Sequence, residues 1–325
     1  MRPLVSGVAA VLLLSCLSCA SQPPTVWRVP DGFRIVGYFP SWSGDPKAVL
    51  YRDLTHIIYA FAFADSNGAY RPVEAPEKLD AVVKAAHAAG VKVLISVGGW
   101  NEGDDRAFEA ISTHPERIQR FVQGTLNLLA AFHLDGVDID WEFPGADTAA
   151  GYASMAQALS AALHPQGALV TLAVSAADVN GQFITDEAWQ ASDWVNIMAY
   201  DDGWGLSPII PHSNYSFTRS ALDYWLVQRG VPRDQVVVGV PFYGRSMVNR
   251  HARTYRSLVG QYFDAPAKDQ VGEYSYNGPD TMRAKVVNQA RFRAGGVMIW
   301  QLNQDARGPG SLLALIYNTV KEPVE

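Results

Sequence analysis

Apolar runs of strand length alternate with amphipathic stretches along most of the chain. Continuous apolar segments cover 35–39, 56–63, 91–97, 136–141, 168–174, 194–199, 236–240 and 297–301. Segments with helical spacing follow at 77–89, 115–132, 149–163, 218–229, 281–294 and 310–320. Strands that read apolar on both faces belong to parallel sheets covered by helices. Eight strand-length runs in this order predict an α/β protein, most simply a closed (β/α)8 barrel of the TIM type. A doubly wound open sheet fits the same pattern, and hydrophobicity alone does not separate the two. No internal repeat or low-complexity block interrupts the alternation.

The N-terminus departs from this pattern. Arg2 precedes a mostly apolar run over 4–14, followed by Ser15-Cys16-Leu17-Ser18-Cys19-Ala20. The run is shorter than the ~20 residues of a spanning helix and reads as an export signal. Residues 1–20 are therefore expected to be a leader and 21–33 a tether, with three prolines in 21–30. Residues 34–325 are left as the folded unit. Both cysteines lie in the leader, so the folded unit forms no internal disulfide. A cysteine after an apolar stretch resembles the lipidation site of bacterial lipoproteins. Cys19 is preferred and Cys16 is the second choice, although Leu17 and Leu14 spoil the ideal lipobox. Cleavage after Ala20 is the alternative, because Ser18-x-Ala20 obeys the small-residue rule. The expected location is thus a membrane-anchored lipoprotein or a secreted or periplasmic protein, present as a monomer.

Composition narrows the partners. The formal net charge of −6 argues against nucleic acid. The seven histidines are scattered and the folded unit has no cysteine pair, so neither a metal nor a cofactor is expected. His56, inside a strand run, reads as a core histidine.

Polar groups collect at the ends of the strand runs, where a barrel carries its chemistry. The densest set is Asp135-Gly136-Val137-Asp138-Ile139-Asp140-Trp141-Glu142. Side chains alternate along a strand, so Asp138, Asp140 and Glu142 share one face while Val137, Ile139 and Trp141 share the other. The apolar set suits the helix layer, which turns three carboxyls into the barrel. Such groups cannot all ionise cheaply, and their proton affinities are pushed apart. The structural alternative is a charged edge strand.

The pattern resembles the D-G-x-D-x-D-x-E signature of glycoside hydrolase family 18. Ser96-Val97-Gly98-Gly99 resembles that family's S-x-G-G motif, and Asn196-Ile197-Met198-Ala199-Tyr200-Asp201 its sixth-strand motif. Gly239-Val240-Pro241-Phe242-Tyr243-Gly244-Arg245 resembles the seventh, and Gly296-Val297-Met298-Ile299-Trp300 the eighth. The resemblance implies a retaining reaction in which the substrate's 2-acetamido group is the nucleophile, an exception to the two-carboxylate rule. It implies Glu142 as the acid and then the base, and Asp140 as the group that orients the acetamido N–H. Asp138 would share a proton beneath Asp140, and Tyr200 would bond the acetamido carbonyl. Trp300 would form the floor under the sugar, with Met198, Asp201, Tyr243 and Arg245 lining the site. Phe61 would pack beside that sugar and Trp100 would stack on a neighbouring one.

Many relatives carry an α+β insertion between strands seven and eight. Here the short 246–280 segment reads as a loop or small hairpin, and the insertion as absent. An open groove favours endo-cleavage of β-1,4 bonds in chitin or chitooligosaccharides. The resemblance leaves two other enzymatic substrates, the N-glycan core and peptidoglycan, and one non-catalytic role, a chitin-binding lectin. Aromatics at Trp204, Tyr215, Tyr255, Tyr262 and Tyr274 are candidates for further sugar contacts.

Overall fold

The computed structural model describes residues 31–321. The expected leader, with Cys16 and Cys19, and most of the expected tether lie outside them. Seven strands come first: β1 (Arg34–Pro40), β2 (His56–Ala62), β3 (Lys92–Gly98), β4 (Gly136–Asp140), β5 (Leu169–Ser175), β6 (Trp194–Met198) and β7 (Val236–Pro241). Four short ones follow, β8 (Tyr243–Ser246), β9 (Ala252–Thr254), β10 (Gln270–Val271) and β11 (Tyr274–Ser275), before β12 (Gly296–Trp300). The helices are α1 (Pro76–Ala88), α2 (Arg106–Ser112), α3 (Pro115–Phe132), α4 (Ala149–Leu163) and the short α5 (Asp178–Gly181) and α6 (Asp186–Gln190). Then come α7 (Tyr215–Asp223), α8 (Tyr255–Gln261), α9 (Pro279–Arg291) and α10 (Leu312–Lys321).

Strands β1 to β7 and β12 close in the order β1-β12-β7-β6-β5-β4-β3-β2. Every neighbouring pair is parallel. Closure decides the architecture: it is the (β/α)8 barrel, and the open sheet is excluded. The strand faces sort as alternation requires. Val137 and Ile139 of β4 join the large cluster under the helices, with Ile57, Val93, Ile95 and Val97. A smaller cluster of Val36, Tyr38, Ile58, Leu94, Trp194, Val237 and Met298 fills the interior. Trp141 lies on the helix side, stacked on Phe108 at 5.3 Å and edge-on to Tyr152.

Helix α7 begins earlier than its hydrophobic pattern, because Asn214 caps it by accepting from the Phe217 amide at 2.8 Å. Its last turn widens to a π-type turn at Tyr224–Gln228.

One expectation fails. The segment after β7 is more than a loop or hairpin: β8 to β11 form a four-stranded sheet in the order β10-β11-β8-β9. Its pairs are antiparallel, and α8 packs beside it. This small lobe stands where chain from β7 leaves the barrel mouth. Its shortest strands have two residues, too few for alternation to register in a sequence.

Candidate active site

The site is built from strand ends, and β4 supplies its centre. Register places Asp138 opposite Ser96 of β3 and Thr171 of β5, so all three side chains turn inward together. Ser96 Oγ and Tyr38 Oη donate to Asp138 Oδ2, each at 2.8 Å. Thr171 Oγ1 and Asn196 Nδ2 donate to Oδ1 at 2.6 and 3.1 Å. Four donors fill the carboxylate's acceptor sites and hold its charge in a dry layer.

Asp140, two residues on, is also buried, yet its Oδ1 has no hydrogen-bond partner among the described residues. Glu142 lies just past the strand end and is only partly covered. Gly98 and Gly99 let the β3 turn pass over this point. A Cβ on Gly98, at φ +109°, would sit 2.3 Å from the Asp140 carbonyl, and one on Gly99 would strike the Phe61 ring. These glycines are therefore fixed by their own neighbours, Asp140 and Phe61.

The opposite wall comes from β6 and the lobe. Arg245 clamps Asp201 through Nε–Oδ1 and Nη2–Oδ2 contacts of 2.7 Å each. Among the described residues the Tyr200 hydroxyl donates to the Met298 thioether at 3.8 Å, a weak acceptor that a better one can replace. Tyr243 is buried and its hydroxyl is unpaired among the described residues. Met198, Tyr200 and Trp300 cover the interior cluster from above.

Aromatic rings floor the mouth. Trp300 stacks on Phe61 at 5.8 Å and meets Tyr38 edge-on at 5.5 Å. Trp42 stacks on Phe61 at 5.9 Å and is 56% exposed, an apolar face open to a ligand. Trp100 is 59% exposed. Trp204 is exposed too, with the Arg245 and Arg250 guanidinium groups against its ring at 5.3 and 5.5 Å. Behind Gly98 and Gly99 runs a groove of about 450 Å³, with Phe63, Arg71, Asn101 and Asp105 among its walls.

The structure brings together Asp138, Asp140, Glu142, Tyr200, Asp201, Tyr243, Arg245, Phe61, Met198 and Trp300 around one mouth, with Trp100 at the end of β3. Tyr255 does not join them, being buried in the lobe. Sequence reasoning missed Tyr38, Thr171, Trp42, Asp105 and His212, and gave Ser96 and Asn196 no role. Trp42 was open to discovery, as it lies two residues past the end of β1. The donors to Asp138 depend on register between distant strands, which no local pattern displays.

The profile of glycosyl hydrolases family 18 matches residues 34–305. The chain belongs to that family. Among relatives of this family-18 hydrolase, probable chitinase 10 of Drosophila melanogaster is 23% identical over 390 residues, covering 92% of this chain and 17% of the fly protein. Chitotriosidase-1 of Mus musculus is 25% identical over 368 residues, covering 90% of this chain and 79% of the mouse protein. The structure of the chitinase ChiB from Flavobacterium johnsoniae superposes with a TM-score of 0.80 at 29% identity, covering 90% of this chain and 94% of that one.

A family-18 hydrolase cleaves glycosidic bonds, and its acid must hold a proton. Burial, then the charges of Asp201 and Asp105, raise Glu142 from 4.5 to about 7. Asp140 is raised well above the usual carboxylate range by burial, then by Glu142 and Asp138. Burial also raises Asp138, against its four hydrogen bonds. Its four hydrogen bonds favour the charged form of Asp138, whereas Asp140 has no such bond on Oδ1. Burial would raise Asp201 too, but bonds from His212 and Arg245 keep it ionised, below the usual range.

Proposed function

We propose that this family-18 hydrolase cuts β-1,4 bonds next to N-acetylglucosamine in chitin or chitooligosaccharides, with retention at the anomeric carbon and the substrate's acetamido oxygen as nucleophile. The carrying observation is the placement of the carboxyls. A retaining enzyme with its own nucleophile needs two carboxyls flanking the sugar, ~5–5.5 Å apart. Here Asp140 and Glu142 are neighbours on one side of β4, and Asp138 is locked beneath four donors. Among the described residues Asp138 is held by four donors and Asp201 by Arg245, which supports a nucleophile supplied by the substrate.

The remaining groups suit that chemistry. Glu142 gives its proton to the leaving oxygen as the acetamido carbonyl oxygen attacks C1 and the glycosidic C–O bond breaks. The unpaired Oδ1 of Asp140 accepts from the acetamido N–H. As the oxazolinium ion forms, its N–H stays bonded to Asp140 Oδ1, and its positive charge is stabilised by the negative charge of the Asp138–Asp140 pair beneath it. The Tyr200 hydroxyl donates to the acetamido oxygen and aims it at C1. Glu142, now ionised, takes a proton from water, whose oxygen opens the ring from the same face. Trp300 and Phe61 present rings to the apolar face of the sugar. Exposed Trp42, Trp100 and Trp204 spread along the mouth and suit endo-cleavage of a chain lying across it.

The test is to incubate wild type and Glu142→Gln with N-acetylglucosamine tetramer to hexamer, reading product lengths by mass spectrometry and first anomer by NMR. Cleavage by wild type alone, into internal fragments with the β-anomer first, is expected. No cleavage by wild type would overturn the chitin reading and move the substrate to N-glycan cores or peptidoglycan. Tight binding of oligomers without any hydrolysis would make the chain a lectin. We also propose export and anchoring through Cys19 or Cys16, supported by the short apolar run before them. Lipid labelling that survives replacement of both cysteines would contradict this.

A further inference from the structure

His212 is a buried side chain beside the site that the reaction above does not use. It is 1% exposed, and its Nδ1 lies 3.3 Å from Asp201 Oδ1. Its ring sits 5.0 Å from that of Tyr243, and its carbonyl accepts from the Asp202 amide at 2.9 Å. Its Nε2 has no hydrogen-bond partner among the described residues. Asp201 has a left-handed backbone, φ 59°, a region uncommon for non-glycine residues though Asp enters it more readily than most.

The residue after His212 is unusually well pinned. Ser213 Oγ donates to the Ala199 carbonyl at 2.8 Å. The amino group of Lys285, fully buried in α9 and with its pKa lowered by that burial to about 7, donates to the Ser213 carbonyl and hydroxyl at 2.8 Å each and to Asn277 Oδ1 at 2.7 Å. A buried lysine bonded only to neutral oxygens is costly, and it fixes the backbone that carries His212.

We propose that His212 is a positioning residue: its neutral ring, protonated on Nδ1, holds the Asp201 carboxylate in place so that this charge stays directed at Glu142. The proposal rests on Glu142 being the acid. Nδ1 faces two groups, the Asp201 carboxylate and the Asp201 backbone N–H at 3.4 Å. It can donate to the first or accept from the second, and the two choices are different tautomers. A charge-assisted bond outweighs a neutral one, which selects the Nδ1–H form. The alternative also buries an Nε2–H without an acceptor. The charged groups facing the ring are Asp201, Arg245 and Lys285, with Tyr243 beside it; burial and the two cations outweigh Asp201 and keep it neutral. Asp201 and Asp105 are in turn two of the charges that raise Glu142.

Two variants and one spectrum test this. His212→Leu removes the donor, while His212→Asn can place an Nδ2–H where the ring N–H stood. In His212→Leu, Asp201 answers to Arg245 alone. The alkaline limb of kcat/KM should then move to lower pH by about half a unit, with kcat roughly tenfold down. His212→Asn should keep the wild-type limb. An unmoved or raised limb in His212→Leu, or equal loss in both variants without any shift, would overturn the proposal, because a purely structural role lowers activity at every pH alike. Should the leucine variant fail to fold, 15N NMR of histidine-labelled wild type reads the ring directly. A neutral Nδ1–H tautomer is expected; an Nε2–H tautomer or an imidazolium would overturn the proposal. That spectrum does not depend on Glu142, so it fails separately from the proposed reaction.

Discussion

At the N-terminal end of the barrel, Asp135 Oδ2 accepts from the Val93 amide at 2.7 Å and from His87 at 2.8 Å. Asp193 repeats the arrangement with the Val170 amide at 2.7 Å and His164 at 3.1 Å. The carboxyl before a strand thus ties an adjacent strand to the helix that leads into it. At the opposite end the same strands behave differently. Asp140 Oδ1, the Tyr243 hydroxyl and Gln301 Oε1 are buried without partners among the described residues, and large indole faces meet solvent. The two carboxyls at one end are paired and serve stability; at the other, Asp140 leaves capacity open for a ligand. The transition takes two residues of β4, from the saturated Asp138 to the unsaturated Asp140.

The sharpest way to break the comparison is at the mouth. Glu142→Gln is nearly isosteric and should lower turnover by roughly 10²–10⁴-fold while leaving the fold intact, as read by initial rates and thermal unfolding. In wild type, kcat/KM should fall as pH rises through about 7, where Glu142 loses its proton. The same shift affects stability. Because the folded value is raised above 4.5, its stabilising contribution is complete below 4.5 and is lost as pH climbs through about 7. Glu142→Gln should therefore lose less stability than wild type across that window in denaturant titrations.

The next effect lies in the polar layer between the two ends. Asp138→Ala strands four buried donors and should cost at least about 3 kcal/mol in chemical denaturation, with activity lost as well. A smaller effect is expected at the closed end. Asp135→Ala should cost about 1 kcal/mol and leave kcat/KM within about twofold of wild type. A large loss of activity there would erase the distinction between the two ends. Smallest of all, Trp42→Ala should raise KM for hexamer by about 3–10-fold, from the loss of one stacking face, and leave kcat unchanged.

Much of this was legible before the structure. A parallel barrel strand is apolar on both faces, so its runs stand out between polar loops, and each of the eight lies within two residues of its predicted limits. The acidic residues of β4 were legible because period-two polarity inside such a run has no packing explanation. The lobe was not legible, since β10 and β11 are too short to show a period. Nor were the partners of Asp138, which come from β1, β3, β5 and β6 and meet only once the barrel closes. Lys285 and His212 looked like ordinary polar residues, and their burial is a product of tertiary packing alone.

The central claim is that the nucleophile belongs to the substrate and that Asp140 and Tyr200 serve it. The most direct measurement is kcat/KM for a series of chitobiose aryl glycosides whose acetamido group carries zero to three fluorines at the reducing-end sugar. Each fluorine weakens the carbonyl oxygen as a nucleophile, so the rate should fall steeply along the series in parallel with that weakening. A flat series would mean that an enzyme carboxylate attacks C1, and would contradict the reading of β4 given above.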